Sequence, residues 1–270
     1  MKKEKKNLKW MITEMLEKGE GRKTILSYGK DWGGWIKLEK KVSVGKISER
    51  YGRLGIKCID YWDEKFPKSL REIADPPVAI YYKGRLPKKD EVWVAVIGSR
   101  KVSNEGERWV RKIVPELVKE GVGIVSGLAI GVDGLVHQEC LRAEGRTVAV
   151  LPVGLERVYP LRHRGLVERI LEQGGGVMSE YPVGSELRRS NFLERNRLVS
   201  GLSRGVVVIE AARRSGSIST PNFAVDQGKE VWCVKKKRGE MNSEGLLDLV
   251  ADGASVVESG DEIIREIKLH

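Results

Sequence analysis

Six short apolar runs, each rich in valine or isoleucine and each followed by a polar or glycine-bearing stretch, recur through the middle of the chain. They are Trp93 to Ile97, Val122 to Val125, Val148 to Leu151, Val177 to Ser179, Val206 to Ile209 and Val231 to Val234. Runs this short and this apolar suit strands buried on both faces. The segments between them have helical length and pattern. That alternation constrains the fold to α/β: a doubly wound, mostly parallel, Rossmann-like sheet with helices on both faces. Ligands of such sheets bind outside the carboxyl ends of the strands, so the stretches after the runs are the candidate functional loops. These are Gly98-Ser99-Arg100, Ser126-Gly127-Leu128-Ala129, the segment from Asn191-Phe192 through Arg195-Asn196-Arg197, and Ser215-Gly216-Ser217.

The flanks divide the chain further. Residues 1–57 predict a small, mainly helical amino-terminal domain, because Leu8, Trp10, Met11, Ile12, Met15 and Leu16 fall at helical spacing and a second helix is predicted from about Val44 to Leu54. Trp32 and Trp35 read as core of that module rather than as base-stacking faces. Residues 58–90 predict a connector with a helix near Lys68 to Ile73, ended by Asp75-Pro76-Pro77, and a strand at Val78 to Tyr82. The sheet domain is predicted over 91–270, closing with a strand at Ser255 to Val257 and a helix from Asp261.

Charge narrows the partners. With 49 Lys and Arg against 38 Asp and Glu the formal net charge is +11, which favours a polyanionic partner. The competing reading is a basic surface that serves only solubility. Cys58, Cys140 and Cys233 are few and far apart, which argues for a reducing compartment and against a disulfide framework or a zinc site. No apolar stretch approaches the roughly 20 residues of a membrane span, and nothing resembles a secretory signal. The expectation is a cytoplasmic protein with no membrane span.

The loops carry specific chemistry. Gly98 allows close backbone approach, Ser99 offers a hydroxyl and Arg100 a fork of donors for phosphate oxygens. The three-glycine dinucleotide fingerprint is absent, which disfavours a nicotinamide enzyme, and no cofactor is expected. In Ser215-Gly216-Ser217-Ile218-Ser219-Thr220-Pro221, Thr220 is predicted to cap a helix with Pro221 at its first position, running toward Asp226. The small residues before it would expose backbone N–H groups at the positive end of the helix dipole, an anion site, with Arg213 and Arg214 adding charge; the alternative is an ordinary capped connection. Phe192 beside Arg189 suits an unpaired base, while the bland reading makes Phe192 a helix anchor. Arg195 and Arg197 cannot share one helical face, and one of them is free to pair with Glu194 or Glu180. Asp133 and His137, four apart on a predicted helix, lack a nucleophile or a third metal ligand. They read as a structural hydrogen bond that fixes the Ser126 to Gly131 loop.

These stretches also carry a family resemblance. Val96-Ile97-Gly98-Ser99-Arg100; Ser126-Gly127-Leu128-Ala129 with Gly131, Asp133 and His137; Gly154-Leu155 with Tyr159-Pro160; Phe192 with Arg195-Asn196-Arg197; and Glu210-Ala211 with Ser215-Gly216-Ser217 and Thr220 occur in that order. Together they resemble the DNA-processing protein A family, also called Smf, over roughly residues 58 to 257. The resemblance implies a non-enzymatic, cytoplasmic homodimer. It would bind and protect single-stranded DNA and load the strand-exchange recombinase RecA during transformation or recombination. It also implies DNA contacts at Gly98, Ser99, Arg100, Ser126, Gly127, Arg189, Asn191, Phe192, Arg195, Asn196, Arg197, Ser215, Gly216, Ser217 and Thr220.

The chain departs from that family in places. Glu156 and His163 stand where Asp and Asn usually flank the Tyr-Pro, and Pro221 stands where Ala commonly follows the Thr. Lys235-Lys236-Lys237-Arg238 replaces a usual Pro-Gly and is expected to add positive charge at the ligand-facing edge. The additional carboxyl-terminal winged-helix-like domain of many relatives is expected to be lacking. Two rival functions remain. One is a nucleotide-processing phosphoribohydrolase of the lysine-decarboxylase-like group, with Glu210 and Arg100 standing in for the glutamate and arginine that act on a ribose phosphate, although that group's Pro-Gly-Gly and Gly-Thr loops are absent. The other is a sensor that binds one mononucleotide without turnover.

Overall fold

The computed structural model describes residues 2–28, 44–213 and 215–269, so Trp32, Trp35 and Arg214 lie outside the described residues. Among the described residues the strands are β1 (Lys57–Asp60), β2 (Ala79–Gly84), β3 (Trp93–Ile97), β4 (Gly123–Ser126), β5 (Thr147–Val150), β6 (Gly176–Ser179), β7 (Gly205–Val208), β8 (Glu230–Val234) and β9 (Ser255–Val257). They form one sheet in the order β1-β2-β6-β5-β4-β3-β7-β8-β9. From β6 to β9 every pairing is parallel, while β2 runs antiparallel to β6 and β1 antiparallel to β2. The doubly wound, mostly parallel sheet read from the valine runs is therefore the sheet found.

Helices α1 (Lys2–Glu17), α2 (Arg22–Ser27) and α3 (Val44–Arg53) precede the sheet. The short α4 (Lys68–Arg71) lies between β1 and β2. The crossovers are α5 (Asn104–Lys119), α6 (Val132–Arg142), α7 (Arg164–Glu172), α8 (Arg189–Gly201), α9 (Ser219–Asp226) and α10 (Glu244–Ala251), and α11 (Gly260–Leu269) follows the last strand. Local chemistry sets their starts. Ser103 caps α5 by accepting from the Gly106 N–H at 3.0 Å, and Glu105 and Glu107 complement the dipole in its first turn.

Strand β1 is the element that the sequence pattern missed. Its four residues, with a charged residue at each end, carry no local strand signal; pairing with β2, from Lys57 opposite Tyr82 to Asp60 opposite Ala79, defines it.

The core falls into two clusters. The larger surrounds the central strands, where every residue of β3 and β7 is buried. Fully burying one such valine contributes about 1.5–3 kcal/mol. Two glycines make room there for indoles: a Cβ on Gly123 would stand 2.4 Å from the Trp93 ring, and one on Gly205 2.4 Å from Trp232. The second cluster joins Leu8, Met11 and Ile12 of α1 and Ile47 and Tyr51 of α3 to Ala149, Leu151 and Val177 beside β5 and β6. Polar contacts tie the same parts, since the Val183 N–H donates to Tyr51 Oη at 2.8 Å and Arg22 reaches Glu180 at 3.1 Å and Asp75 at 2.8 Å.

The topology locates a crevice. After β3 the chain builds outward through β4, β5 and β6, then returns to place β7 on the other side of β3. The strand order reverses between β3 and β7, and in open α/β sheets the carboxyl ends of the strands at such a reversal are where ligands bind.

Candidate nucleic-acid interface

The two loops at that reversal are knitted together. Ser217 Oγ donates to the Gly98 carbonyl at 3.0 Å, joining the loop after β7 to the loop after β3. The Ser99 carbonyl accepts from the Val132 N–H at 3.0 Å, and Ser99 Oγ accepts from the Lys101 N–H at 3.1 Å. Gly131 makes this approach possible. Its φ is +86°, and a Cβ there would stand 2.4 Å from the Ser99 carbonyl oxygen. Asn196, on α8, donates to Ser219 Oγ at 2.8 Å and so closes the crevice from the third side.

Arg100 is exposed and its guanidinium lies 5.5 Å from the centroid of the half-buried Phe192 ring. The Tyr159 ring meets Phe192 nearly edge to face, 5.4 Å away at 72°. Arg189, one turn before Phe192, is exposed with no ion pair among the described residues. A cation and an aromatic face thus stand beside the glycine-serine loops, the combination that holds phosphate and base of an unpaired strand.

Other residues of the same motifs point inward. Arg195 is 4% exposed and donates to the carbonyls of Gly127 and Val150 at the carboxyl ends of β4 and β5, while its Nε donates to Asn196 Oδ1 at 3.1 Å. Burial lowers its pKa to about 10 against the opposing pull of Asp133. Arg197, also 4% exposed, holds Glu180 through two bonds of 2.5 and 2.7 Å and the Asp75 carbonyl at 2.8 Å. The pairing with Glu180 open to one of the two arginines is thus made by Arg197. Asn191 is buried and donates to the carbonyls of Pro152 and Glu186, both at 3.0 Å, and Ser126 Oγ donates to the Val96 carbonyl at 2.8 Å.

The helix after β7 starts two residues earlier than its sequence reading places it. Gly216–Ile218 forms a 3-10 turn and α9 begins at Ser219, so Thr220 sits inside the helix, buried, and makes no capping bond. Ser219 Oγ bonds the Gly216 carbonyl at 2.8 Å instead. Gly216 is exposed, and Ser215 Oγ is buried with no hydrogen-bond partner among the described residues. Arg213 adds less charge than expected, since Asp248 holds it at 2.8 and 3.0 Å.

Comparison with known proteins establishes the family. The sequence model of the DNA recombination-mediator protein A family matches residues 57–268. The chain belongs to that family. It is 41% identical to the Smf protein of Synechocystis sp. over 76% of this chain and 52% of that one, and 38% identical to DNA processing protein DprA of Streptococcus pneumoniae over 76% and 72%. It spans about half the length of the Smf proteins of Synechocystis and Escherichia coli. Among solved structures, DNA processing protein A of S. pneumoniae superimposes with a TM-score of 0.78 at 31% identity, covering 98% of this chain and 96% of that one. DNA processing protein A of Helicobacter pylori, whose structure is described as giving insight into a single-stranded DNA binding mode, superimposes with a TM-score of 0.69 at 28% identity over 78% and 95%.

Departures from the family pattern have visible roles here. His163 Nδ1 donates to the carbonyl of Leu128, a buried residue at φ 59°, at 2.9 Å. Pro221 lies in the first turn of α9, where a missing N–H is tolerated. The lysine run adds less charge to the crevice than its sequence suggests. The Lys236 side chain is 1% exposed and pairs with the wholly buried Glu210 at 2.9 Å, and Lys235 pairs with Glu258 at 2.7 Å. Ser103 completes the Glu210 site through its N–H at 3.1 Å and its hydroxyl.

Asp133 and His137 do not form the expected pair. Asp133 accepts from the Ala129 N–H at 3.3 Å and so fixes the Ser126 to Gly131 loop by itself, its pKa raised by burial against the pull of Arg195. His137 turns to β5 and meets Thr147 Oγ1 at 2.7 Å. The Thr147 hydroxyl gives its hydrogen to the Ile124 carbonyl at 2.9 Å, so Nδ1 of the imidazole is the donor. Burial lowers the His137 pKa to about 3. No group of three or more metal-ligating side chains exists among the described residues, and no described helix is long and apolar enough to cross a membrane.

Proposed function

We propose that this chain binds single-stranded DNA in the crevice between the carboxyl ends of β3 and β7. Arg100 and the backbone around Gly98, Ser99 and Ser215 to Ser217 hold phosphates, Phe192 takes a base, and Arg189 draws the strand in. Asn191, Arg195, Arg197, Ser126, Gly127 and Thr220 support the crevice from beneath, and Asn196 braces its wall. The observation that carries this reading is Arg100 over the Phe192 ring at 5.5 Å, beside two glycine-serine loops joined by the Ser217 to Gly98 bond. The net charge of +11 and the likeness to the H. pylori protein support it.

The same reading makes the protein a non-enzymatic, cytoplasmic homodimer that protects the strand and loads RecA in DNA uptake and recombination. Against a phosphoribohydrolase, both oxygens of Glu210 are held by Ser103 and Lys236, and the carboxylate is wholly buried, while Arg100 stands exposed over Phe192. Fluorescence anisotropy of a labelled oligothymidine against a duplex of equal length, across a salt series, is the test. Strand-selective binding that weakens steeply with salt is the expected result. Equal affinity for duplex, or release of base from a nucleoside monophosphate, would overturn it.

A further inference from the structure

Of the two rings that meet at the crevice, Tyr159 is the more accessible. Tyr159 keeps 43% of its surface open, whereas Phe192 is half-buried, with Arg100 over its ring and Tyr159 abutting it at 72°. A base arriving at Phe192 meets a ring whose surroundings are already occupied. A base arriving at Tyr159 meets an open one.

The surroundings of Tyr159 favour a nucleobase over a solvent-exposed accident. Leu161, two residues on, is 74% exposed, and Leu193, next to Phe192, is 52% exposed. Exposed apolar side chains close in sequence to both rings add apolar surface that a flat base would cover. The 3-10 turn Leu161–His163 that follows Tyr159 is anchored, since His163 bonds the Leu128 carbonyl in the loop after β4 at 2.9 Å. That anchor ties the segment to the strand ends, and a preorganised platform loses little entropy on binding.

We infer that Tyr159 is a second stacking platform, so that the crevice takes two unpaired bases, one on the open face of Tyr159 and one at Phe192 once Arg100 leaves the ring for a phosphate. This rests on the single-strand reading above. The contact is made by the ring, because stacking uses the π face common to tyrosine and phenylalanine and tolerates any base.

The test has two arms. In the first, anisotropy with a labelled oligothymidine compares wild type, Tyr159→Phe and Tyr159→Ala, each checked for an unchanged melting temperature. Tyr159→Ala is expected to weaken binding roughly ten-fold and Tyr159→Phe to bind as wild type. Wild-type affinity in Tyr159→Ala, or equal losses in both variants, would overturn the inference, the second outcome assigning the effect to the hydroxyl. In the second arm, unaltered protein is photocross-linked to an oligothymidine carrying 5-iodouracil. Adducts at Tyr159 are expected, and adducts confined to other residues would overturn it. Failure of the wild type to bind any single strand would instead remove the single-strand reading itself.

Discussion

The guanidinium of Arg195 lies so close against Gly127 that a Cβ on that glycine would stand 2.5 Å from Nη2. Glycine at 127 and arginine at 195 are therefore one device, a buried cation that ties the carboxyl ends of two parallel strands under the crevice. Gly127→Ala is expected to displace Arg195 from its carbonyl partners and to destabilise by about 2 kcal/mol, read as a lowered midpoint in urea. Gly165→Ala, in α7 with nothing within 4 Å, is the contrasting case and gains about 0.5–1 kcal/mol from helix propensity.

If Arg100 holds a phosphate, removing it should leave base preference untouched. Arg100→Ala is expected to weaken oligonucleotide binding by a similar factor across sequences and to reduce the slope of log affinity against log salt by about one. Unaltered affinity and slope in a folded variant would take Arg100 out of the site.

Phe192→Ala separates stacking from packing. A loss of about 1–3 kcal/mol in binding with little change in stability is expected if the ring receives a base. Lost stability with retained affinity would identify it as a helix anchor.

Glu210 and Lys236 form an ion pair that is almost wholly enclosed. Lys236→Met leaves the carboxylate buried without its cation and is expected to cost about 3–5 kcal/mol. Adding Glu210→Gln should restore much of that loss. A double-mutant cycle in denaturant measures the coupling, and additive effects would show that the pair is not coupled.

His137 predicts acid sensitivity with a definite sign. Folded, its pKa is lowered to about 3 by burial, then by His163 and Arg195; unfolded, it titrates near its ordinary value of 6.5. Between these pH values the unfolded chain binds the extra proton, so stability falls as pH drops through the window. Asp60 acts oppositely. Burial raises its pKa to about 6, so its penalty is relieved as pH falls from about 6 toward 4. Denaturant midpoints from pH 7 to 4 should fall less steeply in His137→Leu than in wild type; parallel curves would refute the assignment.

The central sheet was legible because its strands are buried by composition: all of β3 and β7 are apolar or glycine, and no tertiary accident is needed to place them. Strand β1 was not legible, since only Tyr82 and its neighbours opposite give Lys57 to Asp60 a strand's hydrogen bonds. Arginine direction was the harder problem. Arg100, Arg189, Arg195 and Arg197 carry the same group in the same motifs, and what separates them is whether strand-end carbonyls or Glu180 lie within reach. Thr220 shows the limit of a capping rule, because a 3-10 turn leads into α9 and the helix starts two residues earlier than a Thr220 cap would place it, leaving the threonine inside. The quieting of Lys236 by Glu210 had no local signal, since the two are 26 positions apart.

The ties between the first helices and the sheet also govern the order of assembly. Val183 meets Tyr51 across 132 positions and Arg22 meets Glu180 across 158, so the segment synthesised first locks only after β6 exists. Closing such long loops before any contact rewards it slows folding. The nascent chain can set α1 against α3, β1 and β2 early, but the part of that cluster completed by Ala149, Leu151 and Val177 stays uncovered until the middle emerges, an interval in which sequestration by a chaperone would matter.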